Sequence, residues 1–164
     1  MDASLTRRML LAGAGAGAVL AAPVLAEGAA WLDAVAQRLA SQGGSDPGQL
    51  ALDLAGNIRV ELYWSTDVPG FLADIAAVKA RAPLAEAGYD PATGISRIDQ
   101  QLADGRSSLT DHWMDHGWTL RRITITAGDP ATAASGLDEF AGFRNRGGFG
   151  GPALLTPPFS PLQD

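Results

Sequence analysis

Apolar residues recur along this chain with two different periods. From Glu27 to Ser41 they fall at Trp31, Val35 and Leu39, with Leu32 and Ala36 beside them, the spacing of one face of an amphipathic helix. Gly43-Gly44 stops that helix, and Ser45-Asp46-Pro47-Gly48 is turn chemistry. From Leu50 to Trp64 the period shortens to alternation: Leu50, Leu52 and Leu54, then Ile58, Val60, Leu62 and Trp64. If Leu54 faces Ile58 across Ala55-Gly56-Asn57, then Leu52 faces Val60, Leu50 faces Leu62, and Asp53 stands opposite Arg59. Gly56-Asn57 can supply the positive φ that such a hairpin needs. A helix could also align Leu50, Leu54, Ile58 and Leu62; the strand formers of the second arm favour the hairpin.

Further on, Ser65-Thr66-Asp67 with Pro69 opens a helix carrying Phe71, Ile75, Val78 and Ala82 and ending before Pro83. A short helical turn through Leu84 and Ala87 and a loop over Gly88 to Gly94 follow. Ser96 is then expected to cap a helix bearing Ile98 and Leu102, and another helix is expected from Ser108 or Thr110 to Gly117. Trp118 to Thr126 reads as a strand, with a bulge or change of face at Arg121-Arg122. Asp129-Pro130 opens a helix to about Phe143 with Leu137 and Phe140 facing inward. The predicted fold is α+β: a small antiparallel sheet, made of the hairpin and one later strand, packed against three to five helices, with an extended C-terminal arm.

The first 26 residues break both periods. Arg7 and Arg8 precede an apolar run from Met9 to Ala22 diluted by Gly13, Gly15 and Gly17, too short to span a bilayer, which takes about 20 residues. Pro23 ends the run, and Val24-Leu25-Ala26 presents the residues a signal peptidase reads, so cleavage is expected after Ala26. The string Thr6-Arg7-Arg8-Met9-Leu10-Leu11 resembles the twin-arginine translocation signal, although Ala12 stands where that signal often has lysine. The resemblance implies export to the periplasm of a protein already folded, often together with a partner or a cofactor. On this reading residues 1–26 are the signal peptide, 27–143 a single α+β domain and 144–164 a Gly/Pro-rich arm.

Charge narrows the partners. The leader holds Asp2, Arg7 and Arg8, so the 12 basic and 18 acidic residues of the whole chain become 10 and 17 after cleavage, and the net charge moves from −6 to −7. Such a surface repels nucleic acid and anionic lipid. The absence of cysteine removes disulfides, thiolate metal sites, iron–sulfur clusters and a lipoprotein anchor from consideration.

Chemistry-bearing residues are sparse. Asp111-His112-Trp113-Met114-Asp115-His116-Gly117-Trp118 contains both histidines of the chain. On a helix His112 and His116 would share a face and could hold a metal with Asp115 or Asp111. Equally, His116 in a last turn before Gly117 would be favoured by the helix dipole with no metal involved. There is no Gly-x-Ser-x-Gly elbow, Walker loop or dinucleotide fingerprint, so no catalytic residues and no cofactor are indicated. The arm carries Phe149, Leu154, Leu155, Phe159 and Leu162, apolar residues placed to lie along a surface. In general layout the chain resembles the small subunits that accompany periplasmic flavin dehydrogenases, although no motif in the mature domain ties it to them.

The first expectation is therefore an exported, non-catalytic accessory subunit bound to a larger periplasmic partner, with an oxidoreductase as the candidate, through Phe149, Leu154, Leu155 and Phe159. A stand-alone periplasmic metal- or small-molecule-binding protein using His112, His116 and Asp115 is the second. A small enzyme of unassigned chemistry is the third.

Overall fold

The computed structural model describes residues 28–42, 44–81 and 85–154; the leader, Leu155 and Phe159 lie outside the described residues. The elements are helix α1 (Gly28–Ser41), strands β1 (Gly48–Leu54) and β2 (Ile58–Ser65), helix α2 (Val68–Lys79), strands β3 (Ala85–Asp90), β4 (Ile95–Gln101), β5 (Ser107–Met114) and β6 (Leu120–Ala127), and helix α3 (Pro130–Asn145) with a short 3₁₀ turn at Gly148–Gly150. The strands form one six-stranded antiparallel sheet in the order β1-β2-β6-β5-β4-β3.

The expected small sheet with three to five helices is thus corrected to a sheet-dominated α+β fold with three helices among the described residues. Two expected helices are strands. Residues 96–105 contribute β4 instead of a helix, because the buried side chains alternate at Ser96, Ile98 and Gln100. Residues 107–114 form β5, every one of them buried. The expected helical turn and loop after Pro83 contain β3. No bulge occurs at Arg121-Arg122, where the ladders to β2 and β5 run through unbroken.

The first hairpin has the register read from the sequence. Leu54 pairs with Ile58, Leu52 with Val60, Leu50 with Leu62 and Asp53 with Arg59. Arg59 Nη1 donates to Asp53 at 2.8 Å, and Gly56 and Asn57 take φ of 74° and 61° in the turn, where the left-handed region suits these two residue types. Capping also follows the sequence: Asp67 accepts from Gly70 N at 3.0 Å to start α2, and Asp129 from Thr132 N at 2.9 Å to start α3.

Helices cover the sheet on both faces. Trp31 and Val35 of α1 and Ala133, Leu137 and Phe140 of α3 pack on Val60, Leu62, Leu109, Trp113, Ile123 and Ile125. Trp31 Nε1 donates to Glu139 at 2.9 Å and ties the two helices together. On the other face Phe71, Ile75 and Val78 of α2 pack on Ile98, Met114 and Leu120. Helix α3 extends to Asn145, past the expected start of the arm at residue 144. Beyond it the chain folds back, Ala153 bridging Asp115 and Leu154 N donating to Met114 O at 2.9 Å.

Candidate functional site

Strands β5 and β6 are joined by Asp115-His116-Gly117-Trp118-Thr119, and one carboxylate organises this turn. Asp115 Oδ1 accepts from Gly117 N at 2.9 Å and Thr119 N at 3.0 Å. Oδ2 accepts from Arg121 Nε at 2.5 Å. Backbone bonds from Asp115 N to Thr119 O and from Trp118 N to Asp115 O, both 3.0 Å, close the loop. Held in this way, Trp118 adopts φ of 63°, a region a bulky residue enters only when its surroundings impose it. Its side chain is 62% exposed, the most open of the large apolar residues described; Leu72 at 44% and Val68 at 40% on α2 come next. Helix α2 begins just after Ser65, which pairs with Leu120, so its first turn and the Trp118 turn lie at the same end of the sheet.

Beside this turn an open cleft of about 490 Å³ lies between Thr119, Arg121, the loop at Gly44 to Asp46, Trp64, Phe149 and Gly150. Its floor is aromatic. Phe149 meets Trp64 and Trp113 edge-on at 5.7 and 5.6 Å, and the Arg121 guanidinium lies 4.9 Å from the Phe149 ring centre. Gly150 is required here, since a Cβ would collide with Arg121 Nε and Asp115 Oδ2 and φ is 86°. The cleft and the turn thus share the Asp115–Arg121 pair as a common support.

Central strand β5 carries most of the remaining titratable chemistry. On the α2 face His112 lies between Ser96 of β4 and Arg122 of β6, fully buried with neither ring nitrogen partnered among the described residues. Burial, and secondarily the charges of Arg122 and Lys79, push its pKa down to about 3, so the imidazole is neutral in the folded protein. Arg122 forms a bidentate pair with Asp74 of α2 at 2.6 and 3.0 Å. Thr110 and Thr124 join hydroxyls at 2.9 Å, and Gln100 donates to Val78 O at 2.8 Å. On the opposite face Asp111 holds Arg97 in a fork of 2.7 and 2.9 Å.

The expected metal ligands are not brought together. As β5 is a strand, His112 points into the α2 interface; Asp115 is engaged by the turn, and His116 is exposed on it. Among the described residues no three His, Cys, Asp or Glu side chains are grouped to hold a metal ion. Of the expected partner contacts, Phe149 is a core residue and Leu154 packs partly buried against the cluster under α2. Trp118 closes the Asp111-to-Trp118 cluster that the sequence singles out; what the sequence did not mark is its exposure, whereas Trp113 of the same cluster is buried in the core.

No helix among the described residues is long and apolar enough to cross a membrane. No protein-family model, no curated protein and no solved structure matches the chain.

Proposed function

We propose that this protein is an exported, non-catalytic accessory subunit that docks on a larger periplasmic protein through the Trp118 turn and the adjoining aromatic cleft. The observation that carries the reading is Trp118 itself: a large apolar side chain left open to solvent on a turn rigidified by the partly buried Asp115–Arg121 pair. Burying one pre-organised indole supplies much of the energy of a protein interface, because little conformational freedom is lost on association. The expected arm contacts are thereby reassigned: Phe149 is buried as part of the cleft's floor and Leu154 packs on this domain's own core, so the exposed anchor of the seat is Trp118. Export rests on Arg7, Arg8 and the apolar run that follows them.

Coproduction in the native host tests both halves. A single protein, identified by mass spectrometry, should purify in stoichiometric amount with the tagged wild type. It should be lost with Trp118→Ala, a variant that keeps the wild-type melting temperature. If nothing travels with the wild type, or capture is indifferent to Trp118→Ala, the docking reading falls. Replacing Arg7 and Arg8 by lysine should leave unprocessed chain in the cytoplasm. Finding the wild type there with its leader uncleaved would remove the export reading.

A further inference from the structure

Helix α2 is fastened to one face of the sheet. Its Phe71, Ile75 and Val78 form with Ile98, Met114 and Leu120 an apolar cluster separate from the larger core under α1 and α3. Two polar ties accompany the cluster among the described residues: the Asp74–Arg122 fork at 2.6 and 3.0 Å, and the bond from Gln100 Nε2 to Val78 O at 2.8 Å. Just past the helix Arg81 reaches Glu61 of β2 at 3.0 Å, but at the exposed surface, where such a pair adds little. The sheet itself separates the two clusters, so lifting α2 leaves the larger core closed. A segment seated on a small cluster of its own opens at a lower free energy than the whole domain.

Beneath α2 lies a group that must stay uncharged while the helix is down. The His112 ring meets Phe71 edge-on at 5.6 Å and is fully buried. Neither of its nitrogens, nor the hydroxyl of Ser96 opposite it on β4, has a partner among the described residues. The ionisable groups around it come from three elements. Strand β6 places Arg122 directly opposite His112, and β2 places Tyr63 opposite Arg122, whose guanidinium lies 5.6 Å from the Tyr63 ring centre. Helix α2 supplies Asp74 and Lys79; strand β4 adds Ser96, Ile98 and Gln100, none of which titrates. Asp74 has both oxygens on Arg122. An imidazolium here would therefore stand among cations with no acceptor for its second proton, and it forms only where water reaches the ring.

We infer that α2 is an acid-operated lid: on acidification it lifts from the sheet as a unit, with His112 taking up the proton and the core under α1 and α3 remaining closed. Opening bares the apolar strip of Ile98, Met114 and Leu120. With the lid down, burial and then the charges of Arg122 and Lys79 hold the His112 pKa near 3, against 6.5 in water. Between those values the open form binds a proton that the closed form does not, so opening grows by up to about tenfold for each pH unit lost. The device is independent of the docking reading, since it involves neither Trp118 nor the aromatic cleft.

Amide hydrogen exchange on the full chain between about pH 7 and 4, expressed as protection factors, tests it. The amides of Ile75 and Val78 in α2 should exchange through an opening with lower protection and a weaker denaturant dependence than those of Leu137 and Phe140 in α3. Their protection should fall by up to about tenfold per pH unit. His112→Leu should remove that fall, and His112→Gln, also neutral throughout, serves if the leucine variant does not fold. Asp74→Asn separates the carboxylate's own titration and should leave the fall in place. One common protection and denaturant dependence for α2 and α3 would show a single cooperative unit and overturn the lid. So would a pH dependence that survives in the His112 variants or vanishes in Asp74→Asn.

Discussion

The two faces of the sheet are built on different principles although the same strands make both. Toward α1 and α3, β2 and β6 present Val60, Leu62, Ile123 and Ile125, and aromatic rings of Trp113, Phe140 and Phe149 close the layer. Toward α2, β5 and β6 present Thr110, His112, Arg122 and Thr124, and β4 adds Ser96 and Gln100. The first face is held by area removed from water, which is non-directional and tolerant. The second adds to the smaller apolar cluster under α2 the pairs Arg122–Asp74, Thr110–Thr124 and Gln100–Val78 O, each of which leaves an orphan when its partner is removed. The apolar face carries the bulk of the stability, and the polar face fixes where α2 sits.

The sharpest break in this contrast is Phe140→Ala on the apolar face. It should cost about 3–5 kcal/mol in denaturant unfolding, as a fully buried aromatic leaves a cavity among Trp31, Trp113 and Phe149. On the polar face Asp74→Ala should cost about 3 kcal/mol by stranding the Arg122 guanidinium. The pair Asp74→Leu with Arg122→Met should recover most of that loss. A double variant as unstable as the single one would mean that the pair contributes net stability, and the polar face would then resemble the apolar one.

Smaller per pH unit, and spread over the acid range, is the effect of His112. Its pKa is about 3 folded against an ordinary 6.5, so between those values the unfolded chain binds a proton that the folded chain does not. Stability therefore rises with pH through this window and falls on acidification, by roughly 1.4 kcal/mol per unit from this group alone. His112→Leu should flatten that part of a stability–pH curve; an unchanged slope would place the titration elsewhere. Least of all, Trp118→Gly should raise stability by about 0.5 kcal/mol, by relieving the left-handed backbone at a site that belongs to neither face. A loss measured by thermal unfolding would show instead that the indole packs on its own domain.

The difference between the faces also governs how much could be read from the residues. Where a strand or helix buries apolar side chains, its period is visible, which is why the β1–β2 register, α1, α2 and α3 with its inward Leu137 and Phe140 were legible. In β4 the buried positions are Ser96, Ile98 and Gln100, so alternation in burial leaves no alternation in hydropathy, and Ile98 with Leu102 imitates a helical step. In β5 every position is buried, so no face is marked at all. The Asp111-to-Trp118 cluster was visible as a cluster, but a strand and a turn send its members to different faces, where a helix would have aligned them.

By itself the chain's local chemistry determined the caps at Asp67 and Asp129, the Gly56-Asn57 turn, the hairpin pairing and the inward residues of three helices. Each depends on neighbours within a few positions in sequence. Tertiary structure alone decided the six-stranded order, the burial of His112 and Arg144, the Arg122–Asp74 pair and the exposure of Trp118. The physical reason is range: a buried polar group is tolerated only by partners that may be 48 residues away, as Asp74 is from Arg122, and no local pattern records who those partners will be.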